Sequence, residues 1–165
     1  MSERTLILLR HAKSDWSGNH PDIDRPLAQR GRRQAPETGR WLNANIDRLD
    51  LAVVSPAVRA RSTWELVSSE QDVAPPTRTD VRVYGATGSE LLAVVRDVSD
   101  DVGTVVLVGH NPGLEDLVHG LTDQRVRMPT SALAVVVWSG SWSTAGESFA
   151  ELRACGRPPT ERPPS

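Results

Sequence analysis

Four short apolar runs punctuate the chain: TLILL (5–9), LAVV (51–54), TVVLV (104–108) and LAVVVW (133–138). Each is rich in leucine or β-branched residues, and none alternates with polar positions. A strand with one wet face alternates, whereas a run that is apolar throughout needs cover on both faces. That is the pattern of a mostly parallel sheet with helices packed on either side. The stretch SFAELRACG (148–156) predicts a further, half-exposed strand.

The segments between these runs read as helices. Residues 29–46 place Ala35, Trp41, Leu42 and Ile46 in a helical stretch, and Pro36 must then sit in the first turns or kink it. Ser55-Pro56 reads as an N-cap with proline at the first helical position, opening a helix to about residue 69. Thr87-Gly88-Ser89-Glu90 fits a capping box, with Leu91, Leu92, Val95 and Val98 following on one side. Asn111-Pro112 gives cap plus proline again, ahead of Leu114, Leu117, Val118 and Leu121. Strands alternating with helices predict a three-layer α/β/α fold. Residues 1–156 read as one domain, and the proline-rich 157–165 reads as a disordered tail.

Composition adds exclusions. At 165 residues the chain has room for one real core, and a net charge of −2 gives no bulk attraction to nucleic acid. No apolar run approaches the roughly 20 residues of a membrane span, and the N-terminal apolar stretch is too short for a signal peptide. Cys155 alone permits neither an intrachain disulfide nor a cysteine metal site, so a cytoplasmic protein is expected. Of 19 basic residues only Lys13 is a lysine, two positions after His11.

Loops that follow parallel strands gather at one edge of the sheet, and ligands bind there. The residues after three of the runs are Arg10-His11, Ser55 through Arg59, and Gly109-His110-Asn111. Singly, each histidine could be a hydrogen-bonded core residue, and Arg59 an ordinary helix-surface arginine. Together they put two arginines and two histidines beside two helix N-termini, which is an anion site. Arginine forks bind phosphate, and a neutral imidazole whose other nitrogen is held by a carbonyl can attack phosphorus. A second, protonated histidine would stabilise charge on the equatorial oxygens. Such a set supplies position and charge without a metal or other cofactor.

These residues resemble the histidine phosphatase superfamily, the phosphoglycerate mutase-like fold. The resemblance rests on LLRHAKSDW, on S55-P-A-V-R59-A-R-S-T63, on VVLVGHNPGLEDL and on DRPLAQRGRRQA (24–35), in order over residues 5–121. It implies His11 as the phosphorylated nucleophile, with Arg10, Arg59 and His110 as the phosphate pocket. Ser17 falls where many relatives carry a phosphate-contacting asparagine, while Lys13 and Trp16 would sit at the rim. Lys13, Ser17 and Asn111 are therefore the expected substrate-binding residues.

Within the family the short length and RHAKSDW look most like the SixA-type phosphohistidine phosphatases. Only residues 70–87 separate two predicted helices where mutases commonly insert a cap, so no large cap insertion is expected and the pocket should admit a side chain of another protein. Mutases also carry a glutamate acid in Glu-Arg-x-Tyr-Gly; here V81-R82-V83-Y84-G85 has Val81 in its place. Alkyl esters benefit from such an acid more than phosphohistidine, a phosphoramidate with a better leaving group. The partner implied is a phosphorylated protein; a small phosphate ester is the alternative substrate. A catalytically silent phosphoprotein-binding module, and a metallohydrolase using His20, Asp22 and Asp24, are the other readings, the last lacking His-x-His or His-Glu-x-x-His spacing. A solvated polar loop is the simpler account of residues 20–24. Nothing demands more than a monomer, and Trp142, in a Ser/Gly-rich turn, has no assigned function.

Overall fold

A computed structural model describes residues 2–158. Six strands form one sheet: β1 (Glu3–Arg10), β2 (Leu51–Val54), β3 (Thr77–Thr79), β4 (Thr104–Gly109), β5 (Leu133–Ser139) and β6 (Glu151–Gly156). Four helices accompany it: α1 (Gln29–Asn45), α2 (Val58–Ser68), α3 (Gly88–Arg96) and α4 (Gly113–Thr122). The order across the sheet is β3-β2-β4-β1-β5-β6.

β1 shows why its sequence is apolar at every position. Leu6 and Leu8 enter one core with Leu91, Val94, Leu114 and Val118 of α3 and α4. Ile7 and Leu9 enter the other, with Ala35 and Leu42 of α1 and Ala60, Trp64 and Val67 of α2. All four are fully buried. The three layers are those the pattern predicts, with no large insertion.

The departures have local causes. β5 pairs antiparallel with β1, starting opposite Leu9 at the end of β1, because the chain after α4 returns along that edge. Short, fully exposed β3 carries no apolar signal in the sequence. α2 begins at Val58 rather than at Ser55-Pro56, since the Ser55 hydroxyl accepts from Ala57 N–H at 3.3 Å and is bonded to His110 instead of capping a helix. α4 likewise starts at Gly113, after a cis Asn111–Pro112 bond. α1 runs through Pro36, well past its first turn. The capping box at Thr87 is present, with Glu90 Oε1 accepting from Thr87 N–H at 3.0 Å. Trp142 is fully buried, donating to the Val102 carbonyl and meeting Trp138 edge-on; its role is in the core. Of the predicted tail, residues 159–165 lie outside the described residues, while Arg157 Nε donates to the Thr130 carbonyl at 2.9 Å.

Candidate active site

Sheet register brings the three sequence motifs together. Arg10 pairs with Gly109 across β1 and β4, and Val54 pairs with Val108 across β2 and β4. The residues that follow, His11, Ser55 and His110, therefore leave the sheet at one edge.

The loop after His11 is pinned from both sides. Ala12 N–H donates to Thr63 Oγ1 at 2.9 Å, and Thr63 in turn donates to the Arg59 carbonyl at 2.7 Å, tying the loop to α2. From α1, Gln34 Oε1 accepts from Lys13 N–H at 3.0 Å, and Ala28 N–H donates to the Lys13 carbonyl at 2.9 Å. Gly31 lets α1 approach this closely: a Cβ there would lie 2.2 Å from the Lys13 carbonyl oxygen. This explains the glycine and glutamine of the 24–35 segment.

His11 is 7% exposed, and its Nδ1 lies 2.7 Å from the Ala12 carbonyl. A carbonyl only accepts, so Nδ1 carries the proton and Nε2 holds a free lone pair. Burial first, then His110, Arg59 and Arg10, push the ring down to about 3, with the Ala12 bond opposing them. It is neutral at pH 7. His110 lies 5.2 Å away, ring centre to ring centre, with its Nε2 2.7 Å from Ser55 Oγ. Burial and then Arg59 push it down to about 4. In the absence of an anion these surroundings keep His110 neutral.

Arg10 donates through Nη1 to the Met128 carbonyl at 3.0 Å. Arg59 donates through Nη1 to the Asp22 carbonyl at 2.6 Å and through Nη2 to Asp22 Oδ2 at 3.1 Å. Among the described residues, three buried side-chain nitrogens have no partner: Arg10 Nε, Arg59 Nε and His110 Nδ1. Buried donors without partners are rare and call for an explanation such as a ligand. All three belong to residues whose charge or ring acts on His11, so the unpaired groups there are of the kind that suit an oxyanion.

Other expected residues stand elsewhere. Lys13 is exposed, and among the described residues its ammonium makes no hydrogen bond or ion pair. Ser17 is exposed and spends its hydroxyl on Asp15 Oδ1 at 2.7 Å. Asn111 is a support: its amide donates to the Met128 carbonyl at 2.9 Å and to Glu115 Oε2 at 3.0 Å, fixing the same carbonyl that holds Arg10. Sequence reasoning passed over Asp22 as part of a polar loop. Its carboxylate accepts from Arg59, from Arg25 Nη1 at 2.7 Å and from the Tyr84 hydroxyl. Arg25 stacks on Trp16, 3.6 Å from the ring centre, and Tyr84 stands edge-on to His110. Among the described residues no three His, Cys, Asp or Glu side chains group as metal ligands. No described helix is long and apolar enough to cross a membrane. A cavity of about 610 Å³ opens at the other end of the sheet beside Glu3, Trp41 and Arg48, and shares no residue with this pocket.

An α/β sheet carrying a buried histidine and arginine oxyanion pocket at its carboxyl edge defines a phosphate-processing class. The chain belongs to the histidine phosphatase superfamily, whose branch 1 model matches residues 6–83. It is 36% identical over 155 residues to an uncharacterised protein of Mycobacterium tuberculosis, covering 87% of this chain and 96% of that one. It is 28% identical over 151 residues to a phosphohistidine phosphatase SixA homolog of Haemophilus influenzae, covering 84% and 90%. A solved structure from Nakamurella multipartitia, provisionally described as phosphohistidine phosphatase SixA, superposes with a TM-score of 0.85 at 29% identity, over 94% of this chain and 96% of that one.

Proposed function

We propose that this protein is a phosphatase that carries the phosphoryl group on His11 and takes it from phosphohistidine of a partner protein. The observation that carries the reading is the set of three unpartnered buried nitrogens, two of them arginine donors, gathered near a histidine of fixed tautomer. In the proposed first step His11 Nε2 attacks phosphorus and the bond to the leaving nitrogen breaks, its electron pair going to that nitrogen. Arg10 Nε, Arg59 Nε and His110 Nδ1 face the phosphoryl oxygens. The phosphate dianion raises the affinity of His110 for a proton, so that histidine becomes a charged donor as charge accumulates. The Ala12 carbonyl holds the Nδ1 proton and stabilises the charged phosphohistidine ring. In the second step water attacks phosphorus, the P–Nε2 bond breaks, and His11 leaves as a neutral imidazole while phosphate keeps or releases the water's protons.

Three features support a protein substrate. The similarity to SixA-type proteins is one. The segment between α2 and α3 is short and holds only β3 and a 3-10 turn (Val81–Val83), with no inserted cap there. Trp16 and Val81, exposed at 70% and 76%, give that side of the molecule apolar contact surface. The reading places the protein in the cytoplasm. Steady-state kinetics on a phosphohistidine peptide, sugar phosphates and nucleotides test it. The peptide is expected to give the highest kcat/KM; a sugar phosphate or nucleotide turned over faster would overturn the substrate and leave a metabolite phosphatase.

A further inference from the structure

Asp22 is the carboxylate that meets the oxyanion pocket directly. Its carbonyl and Oδ2 each take one N–H from a terminal nitrogen of Arg59, while Nε of that guanidinium has no protein partner. Oδ1 takes Arg25, and the Tyr84 hydroxyl donates to Oδ2. The carboxylate is nevertheless half exposed, at 52%, whereas His11 is buried. In-line attack from the buried His11 Nε2 sends the leaving group outward, and Asp22 is an exposed carboxylate joined to that pocket through Arg59 and through Tyr84, which stands edge-on to His110. Its charge is shared with Arg59 and Arg25, and its exposed face suits a leaving group of opposite charge.

We propose that Asp22 selects the leaving group, favouring a protonated imidazole over the oxygen of an ester; this rests on the phosphohistidine reading above. In a phosphohistidine whose free ring nitrogen is protonated, the P–N electron pair returns to nitrogen and the group departs as neutral imidazole. A carboxylate beside that ring stabilises the protonated, reactive form. An ester oxygen gains negative charge as its bond to phosphorus breaks, and the same carboxylate repels it. Asp22 does not supply a proton instead: the Tyr84 hydroxyl, then Arg59 and Arg25, hold its carboxyl well below the usual range, so it stays ionised. Its charged and titratable neighbours are Arg59, Arg25, Tyr84 and His110, with His20 and Asp24 close in the same segment. The absence of a glutamate at Val81 and the presence of this carboxylate act in the same direction, against esters.

The test compares kcat/KM for a phosphohistidine peptide and for p-nitrophenyl phosphate in the wild type, Asp22→Asn and Asp22→Glu. The ratio of phosphohistidine to ester activity is expected to fall at least about tenfold in D22N, a change of 1.4 kcal/mol in relative barrier, and to recover in D22E. The alkaline limb of the phosphohistidine pH profile should also move to lower pH in D22N. If both activities fall in parallel with an unmoved pH profile, Asp22 only anchors Arg59 and the proposal is overturned. If the wild type does not turn over phosphohistidine at all, the reading beneath it fails instead, a result distinct from the parallel loss.

Discussion

Replacing Gly31 by alanine sets two effects of opposite sign against each other. Alanine in a helix is favoured over glycine by up to about 1 kcal/mol. The new methyl, however, would stand 2.2 Å from the Lys13 carbonyl oxygen and 2.9 Å from its nitrogen. Ordinary contact begins near 3.4 Å, so α1 and the His11 loop must part by roughly 1 Å, an overpacking strain of about 1–3 kcal/mol. The loop cannot yield alone, because Lys13 is bonded on both sides to α1, through Ala28 and Gln34. Strain therefore wins, and Gly31→Ala should lose about 1 kcal/mol or more in urea unfolding. A nucleophile displaced by about 1 Å should also lower kcat by roughly 100-fold. Gly120→Ala is the matched control: on the exposed face of α4 its methyl would meet no heavy atom within 4 Å. That variant should gain about 0.5–1 kcal/mol. A Gly31→Ala protein as stable and as active as the wild type would refute the claim that α1 fixes the loop.

Other expectations follow from the same contacts. Arg59→Ala removes a donor to the oxyanion and the anchor of Asp22, so tungstate or vanadate affinity measured by calorimetry should drop by about 3 kcal/mol. Both site histidines take up protons less readily when folded than their ordinary value of 6.5, at about 3 for His11 and about 4 for His110. The unfolded chain therefore binds more protons between pH 4 and 6.5, and stability should rise with pH across that window and level off above it. His110→Asn should flatten the rise of melting temperature with pH; an unchanged slope would contradict the assigned surroundings.

The sequence made the sheet legible because burial on both faces erases alternation. It made the pocket legible because parallel strands deliver their following loops to one edge. Arg10, His11, Arg59 and His110 meet as expected. Local signals misled where a side chain had a distant partner. Ser55 looks like a helix cap, yet its hydroxyl serves His110, 55 residues on. Asn111 looks like a ligand contact, yet its amide holds Met128. Asp22 reads only as a possible metal ligand or a solvated loop residue, since its partners Arg59 and Tyr84 lie 37 and 62 residues away in sequence. Edge strand β3 is three exposed polar residues and leaves no periodic trace.

The central claim is that phosphate passes through His11. The direct measurement is a rapid-quench reaction with a phosphohistidine peptide, followed by mass analysis of the protein and its peptides under alkaline conditions. A transient gain of one phosphoryl group on the peptide containing His11, labile to acid and absent in His11→Ala, is the predicted result. Turnover without any phosphoprotein, or a His11→Ala enzyme that still hydrolyses the substrate at a comparable rate, would contradict it.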